Sequence, residues 1–458
     1  AFLPWAGTLY PAPNGYIDDA LFIGEPDWDS YGGERLRLGY QFEYLINDNW
    51  SIRHNLRHDD LEGHLASMYA NFWEVDAAGN GYVDATGTPA TNGEYLNRTW
   101  YITRTDSKVL NTDLLLEGKL NAGTVEHTLL LGIDAMRFED NQRTADGAAT
   151  PLNVFDPVYG GFPKPSVALG AGTPLETDQT GFMLQDQARF DDRWIVVAGL
   201  RRDHVTVGIE GAANDDIDDT VTTRRLGLVY LAGNGWAPYL SYSESFETIS
   251  GFDSNGNLFE PKQGEQVEAG VKWSPDNGAI TATAAVYSLK ETNRPVFDID
   301  DPDPTDAFSQ IQAGEVEVDG IELDVSADLQ SWSLLASYTY TDAKIVKGDP
   351  GDPSVGKQLS SIPERSASLW AVHTFSNHSL QAGGGVRYVG ETRDGTDLIR
   401  TPANTVFDAM IAYDLGTWRY ALNVNNLFDE EYIAICLTRG DCWFGTRREI
   451  VASANYHF

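Results

Sequence analysis

The sequence predicts an all-β fold, an antiparallel transmembrane β-barrel of about seventeen strands, and three observations point to it. Alternating stretches of roughly ten residues recur along the whole chain. The connections between them alternate between very short and long. No apolar run approaches the ~20 residues of a spanning helix, so a chain of this kind can cross a membrane only as a barrel.

Composition narrows the choice. At 458 residues the usual domain size would give about three domains. No Ser/Gly or Pro-rich spacer divides the chain, however, and residues 1–458 read as one architecture. The 68 Asp and Glu outnumber the 32 Lys and Arg, which argues against a nucleic-acid partner, since phosphate binding needs clustered cations. With 44 Gly, 21 Tyr and 12 Trp, the chain suits many turns and aromatic girdles. Cys436 and Cys442 read as one small disulfide loop rather than a metal site, which would want four ligands, and that favours an oxidising compartment. The opening Ala1-Phe-Leu-Pro-Trp-Ala-Gly has neither a charged region nor an apolar one of a signal peptide.

In chain order, strands are expected near 34–45, 49–58, 107–119, 124–138, 178–190, 193–208, 221–232 and 236–247. They continue near 264–274, 278–291, 315–329, 331–344, 364–375, 378–390, 404–415, 417–429 and 446–458. Asn47-Asp48, Asn121-Ala122-Gly123, Gly233-Asn234-Gly235 and Pro275-Asp276-Asn277 are the short connections; 59–106, 139–177, 292–314 and 345–363 are long. Short turns on one rim and long loops on the other are the pattern of an outer-membrane barrel, with turns in the periplasm and loops outside. The last strand fits: Ile450, Ala452, Ala454, Tyr456 and Phe458 share one face, and Tyr456 and Phe458 place aromatics at a membrane boundary.

The alternation also fixes a parity. Residues 1–33 lie on the long-loop side and Phe458 on the short-turn side, whereas bacterial barrels have an even strand number with both ends in the periplasm. An odd number of strands is therefore expected upstream of this chain, because an open sheet leaves unpaired backbone groups in lipid.

The loops carry the functional candidates. Residues 212–219 and 298–306 are acidic runs that read as solvated loops, and neither fits a calcium loop with its distal Glu. Aromatics gather at Phe2 and Trp5, at Tyr69, Phe72 and Trp73, at Phe155 and Tyr159, and at Trp443 and Phe444. Each alone suits loop packing; converging above one lumen they would wall a small-ligand pocket. His54, His58 and His64 suit a girdle or loop better than a metal site, and Asp134 and Glu139 read as ordinary strand and rim acids. The sequence has no zinc-protease motif, nucleophile elbow or phosphate loop, and nothing in it asks for an enzyme or a bound cofactor.

Several segments resemble TonB-dependent siderophore receptors, and specifically their ferric-hydroxamate (ferrichrome and ferrioxamine) group. They are Pro238-Tyr-Leu-Ser-Tyr-Ser-Glu-Ser-Phe-Glu247, Phe259-Glu-Pro-Lys-Gln-Gly-Glu-Gln-Val-Glu-Ala-Gly-Val-Lys272, Ser337-Tyr-Thr-Tyr-Thr-Asp-Ala343 and Asn425-Asn-Leu-Phe-Asp-Glu-Glu-Tyr432. The Cys436/Cys442 loop with Trp443-Phe-Gly445, the opening Phe2-Leu-Pro-Trp-Ala-Gly-Thr and the strand Gly39-Tyr-Gln-Phe-Glu-Tyr44 point to the narrower group. Such receptors hold a plug inside 22 strands. The resemblance therefore implies that the plug, the TonB box and roughly five strands have no counterpart here, in line with the parity.

It further implies a ferric siderophore as transported ligand, bound by shape and aromatic contact, with iron chelated by the siderophore itself and no protein ligand to iron. Phe2, Tyr69, Phe155, Trp443 and Phe444 match pocket aromatics of the group, while Asn71 stands where a second tyrosine is expected. Acidic loops suit a cationic siderophore such as a ferrioxamine. Implied partners are the TonB-ExbB-ExbD complex through the plug, outer-membrane lipid and lipopolysaccharide, and the barrel-assembly machinery, for a monomer in the bacterial outer membrane. A passive or substrate-specific porin and a soluble β-rich binding protein remain open as alternatives.

Overall fold

The computed structural model describes residues 3–71, 82–91, 93–209, 217–254, 256–275, 278–297, 310–375, 379–437 and 440–458. Phe2, Phe72, Trp73, most of the first acidic run and all of 298–306 lie outside the described residues.

Seventeen long strands among the described residues form one antiparallel sheet that curves as a barrel wall. They are β1 (Ser30–Asn47), β2 (Trp50–Ala70), β3 (Tyr95–Ala122), β4 (Val125–Asn153), β5 (Thr173–Phe190) and β6 (Trp194–Ile209). Next come β7 (Ile217–Tyr230), β8 (Trp236–Glu247), β9 (Lys262–Trp273), β10 (Ile280–Phe297), β11 (Gln310–Leu329) and β12 (Trp332–Lys347). The wall ends with β13 (Arg365–Thr374), β14 (Leu380–Val389), β15 (Asn404–Leu415), β16 (Trp418–Asn425) and β17 (Glu449–Tyr456). Each strand pairs with the next in chain order. All seventeen expected segments are strands, and long and short connections alternate as anticipated.

Sequence reasoning erred on where the loops begin. Residues 59–70, 95–106 and 139–153, expected in loops, are strand: β2 runs to Ala70, and β3 and β4 span 28 and 29 residues. About 10 residues cross the bilayer. The remainder stands above it, where no lipid imposes a period of two: Glu139-Asp-Asn-Gln-Arg-Thr-Ala-Asp146 is an example. His54, His58 and His64 all lie within β2.

One face of the wall is apolar and exposed, carrying Leu38, Leu114, Ile133, Leu184, Leu240 and Ile411; the other bears the polar partners, as a lipid-facing exterior and a wet lumen require. Aromatics collect at the short-turn rim. Trp194 meets Tyr230 with ring centroids 4.4 Å apart, Trp236 meets Trp273 at 5.8 Å, and Trp418 meets Tyr456 at 5.0 Å. Tyr456 in turn contacts Phe458 at 5.4 Å, so the chain's last aromatics belong to this girdle.

Register is reinforced by large rings lying over glycines directly across the ladder: Tyr239 over Gly270, Tyr287 over Gly320 and Trp370 over Gly385. At the two ends of the sheet the ladder stops. Among the described residues no pairing joins β1 to β17, and every residue of β17 is exposed.

A methyl group at Gly385 would overlap Trp370 and stand 2.8 Å from the Leu369 carbonyl oxygen, whereas at Gly227 it would meet only the Val197 Cβ at 3.6 Å. Gly385→Ala is expected to cost about 1–3 kcal/mol through overpacking and Gly227→Ala close to nothing. Urea unfolding in detergent checks the difference.

Candidate functional site

On the long-loop side, connections among the described residues fold on one another. The segment before β1 contributes Leu3, Ala12, Ile17, Leu21 and Ile23 to a buried cluster. Ala70 at the end of β2, Tyr82 beyond it, Leu96 on β3, Leu152 on β4 and Val154 after it complete the cluster, and Phe444 packs against it. Of the sequence-predicted pocket aromatics only Phe444 packs against this cluster; Tyr69 and Phe155 are not among its members. Tyr69 stands edge-on to Tyr101, with centroids 6.5 Å apart. Phe155 keeps 37% of its surface exposed. Trp443 and Phe444 are half-buried in the strand Asp441–Phe444.

Two polar devices hold the cover in place. The first is Arg98 on β3, buried together with Glu25; its Nη2 donates to Glu25 Oε1 at 2.9 Å, Nη1 to the Ile23 carbonyl at 2.9 Å and Nε to the Thr150 carbonyl at 2.8 Å. Glu25 Oε2 accepts from the Gly160 amide at 2.8 Å, and the Tyr159 hydroxyl donates to the Phe22 carbonyl at 2.7 Å. A buried pair is tolerated only where such extra hydrogen bonds satisfy both ions. Burial raises the Tyr159 hydroxyl above its usual pKa.

The second is a clasp between segments more than 400 positions apart. Leu3–Pro4 pairs with Asp441–Phe444, which pairs with Ile433–Cys436, and the Cys436–Cys442 disulfide closes that hairpin as expected. Trp5 Nε1 donates to the Leu437 carbonyl at 3.1 Å. Arg447 bridges Asp19 at 2.5 Å, Glu431 at 3.0 Å and Asp429 at 3.1 Å. Hydrogen bonds from the Arg447 guanidinium and the Arg448 amide hold the Asp429 carboxyl down to about 2.

Beside the clasp lies a cavity of about 640 Å³. Tyr16, Tyr432 and Phe444 give it aromatic walls, Ile433 an aliphatic one, and Glu430 and Glu431 an acidic edge. Of the predicted residues only Phe444 lines it. Tyr16 and Tyr432 were missed, because neither belongs to an aromatic group in the sequence; only the fold sets them opposite one another. Deeper in the wall, Asp134 proves more than an ordinary strand acid: Arg201 bridges it to Asp203, which is fully buried. Glu139 pairs with Arg137.

Comparison with known proteins places this architecture. The family model for the TonB-dependent receptor-like β-barrel matches residues 2–427. The chain belongs to that family. It is 35% identical over 469 residues to the ferrioxamine B receptor of Salmonella typhimurium, and 33% identical over 478 residues to the ferrichrome outer membrane transporter/phage receptor of Escherichia coli. Both alignments take in 100% of this chain but 63% of the relative, so the chain spans less than two thirds of their length. Among solved structures, the ferric-catecholate import receptor Fiu of Escherichia coli superposes with a TM-score of 0.83 at 21% identity, covering 100% of this chain and 70% of that one. The siderophore receptor PiuA of Acinetobacter baumannii gives 0.80 at 20% identity, covering 96% and 66%. This member of the TonB-dependent receptor family is thus an outer-membrane β-barrel.

Two outcomes follow for the cover. Arg98→Met leaves Glu25 buried without its cation and is expected to cost about 3–5 kcal/mol locally; faster amide hydrogen exchange across 17–25, with the β13–β17 amides unchanged, checks it. For the clasp, the carboxyl's pKa is depressed from 3.8 to about 2, so its contribution is complete above the ordinary value and lost only as pH falls through the lower one. Protection of the Arg448 amide should persist from neutrality to about pH 4; its loss at about pH 5 would contradict the assignment.

Proposed function

We propose that this chain is the larger, C-terminal part of the barrel of an importer of ferric hydroxamate siderophores, driven by TonB with ExbB and ExbD. A plug and about five further strands, in a longer polypeptide, complete it. The observation that supports the ligand reading is the cavity of about 640 Å³ beside the clasp, with Tyr16, Tyr432 and Phe444 as aromatic walls and Glu430 and Glu431 at its edge. Phe2, Tyr69, Phe72, Trp73, Phe155, Trp443 and Phe444 are the ligand contacts in this reading, with Tyr16 and Tyr432 added by the cavity. The unpaired edges of β1 and β17 support the missing strands, since open backbone in hydrocarbon costs several kcal/mol per group.

Charge favours a cationic complex of the ferrioxamine type. The chain carries a formal charge of −36, and Glu430 and Glu431 edge the cavity. Iron is already saturated by the siderophore, so the protein recognises shape, apolar surface and charge. Tyr456 and Phe458 serve as the terminal signal read by the barrel-assembly machinery, and the wall sits as a monomer among lipid and lipopolysaccharide. A porin reading would share the wall, but a parent without a plug.

The test is binding of iron-labelled ferrioxamine B and ferrichrome to the receptor purified from outer membranes in detergent, at low salt. Ferrioxamine B is expected to bind more tightly, and Phe444→Ala to weaken it about tenfold, equivalent to about 1.4 kcal/mol. Tighter binding of neutral ferrichrome would overturn the charge preference, and no saturable binding of either would sink the hydroxamate reading. Intact mass of the same sample should exceed 50.4 kDa by a plug and about five strands.

A further inference from the structure

The cavity beside the clasp takes its acidic edge from one short turn. Asn426, directly after β16, is buried with a positive φ of 52° and spends its side-chain amide on the backbone around it. Its Oδ1 accepts from the Glu430 amide at 2.8 Å, and its Nδ2 donates to the Glu430 carbonyl at 2.8 Å and to the Thr446 carbonyl at 3.1 Å. The Asn426 backbone amide donates to Asp408 Oδ1 at 2.9 Å, while Arg387 Nε on β14 donates to the other oxygen of that carboxylate at 2.6 Å. The turn is thereby pinned to the wall, and Glu430, Glu431 and Tyr432 follow from a braced backbone. Tyr432 lies against Gly445, where a methyl group would overlap its ring, and the Gly445 amide donates to the Tyr432 carbonyl at 2.7 Å.

The two glutamates at the cavity edge are not equivalent. Glu431 Oε2 meets Arg447 at 3.0 Å, within the network that also takes in Asp19 and Asp429. The Glu430 carboxylate has no hydrogen bond or ion pair among the described residues, although it lines the same cavity. An ionised carboxylate only accepts, and a cation that brings several N–H donors is its strongest match. Tyr16 and Tyr432 supply ring walls there. Aromatic faces attract an ammonium through their quadrupole and also cover the apolar carbons beside it. An anion at the same place would meet the Glu430 charge directly.

We propose that this corner of the cavity is an alkylammonium subsite, in which Glu430 accepts from a primary ammonium and the rings of Tyr16 and Tyr432 flank it. Asn426 is its positioning residue. The proposal rests on the hydroxamate reading and names the part of a cationic ligand that is recognised here, the ammonium rather than the iron complex.

The test compares iron-loaded ferrioxamine B, whose chain ends in a primary ammonium, with the same complex acetylated on that nitrogen, each titrated into the receptor purified from outer membranes in detergent. Acetylation is expected to weaken binding about tenfold, since it removes both the ion pair and the ring contacts. Glu430→Gln should weaken ferrioxamine B about threefold and leave the acetylated complex unchanged, whereas Glu431→Gln, at the side chain Arg447 already holds, shifts neither by more than about twofold. Asn426→Ala should shrink the preference for ferrioxamine B over its acetylated form, a ratio that a merely structural loss would not move. Equal affinity for the two complexes, or a Glu430→Gln loss shared by both, overturns the subsite and leaves the hydroxamate reading standing. Failure of both complexes to bind ends that reading instead. Pentylammonium titrated alone and followed by saturation-transfer NMR then judges the subsite, with Glu430-dependent saturation in its favour and the lack of it against.

Discussion

Every backbone N–H and C=O of this wall that lies in hydrocarbon must find its partner on a neighbouring strand, because no water is there to take its place. That constraint shapes the chain more than any single contact. It forces consecutive strands into antiparallel ladders with turns as short as Gly123-Thr124 on one rim, where positive φ at Gly123, Asn234 and Gly416 lets the chain reverse. It also makes β1 and β17 anomalous, since among the described residues each pairs on one side only. Glycines under Tyr239, Tyr287 and Trp370 serve the same end, fixing register so that apolar residues stay outside.

Above the membrane the constraint lifts, and a different balance takes over. Water can satisfy backbone groups, so the connections fold on side-chain chemistry: a buried apolar cluster, the Arg98–Glu25 pair and the disulfide clasp. The pair is favourable here because neither ion is left with idle polar atoms facing apolar surface; Ile23, Thr150 and Gly160 supply the remaining partners. The clasp joins the segment before β1 to the connection before β17 on the very side where the ladder between those strands is missing. Cover and wall therefore rest on different interactions, side-chain packing and ion pairs in one and backbone ladders in the other.

How much of this was legible in the sequence follows the same division. The strands were readable because lipid on one side and water on the other impose a period of two, as in Ile450 to Phe458. The upper reaches of β2, β3 and β4 were not, since they stand clear of the lipid and pack on the connections there, so no period of two is imposed. The disulfide could be read from spacing, and the loop aromatics from composition. Arg98, Glu25 and Tyr16 could not, because their partners lie far away in sequence and no local pattern marks them; Tyr432 closed a motif already noted, but nothing in that motif placed it on a cavity wall.

The lumen-wall arginines show a third kind of information. Arg35, Arg37, Arg57 and Asp59 look like scattered strand charges until the register of β1 and β2 sets them side by side. A lone guanidinium in a wet lumen carries little meaning, because solvent screens it. Three of them share one buried carboxylate, a grouping made by the register of the two strands and by nothing local in the sequence.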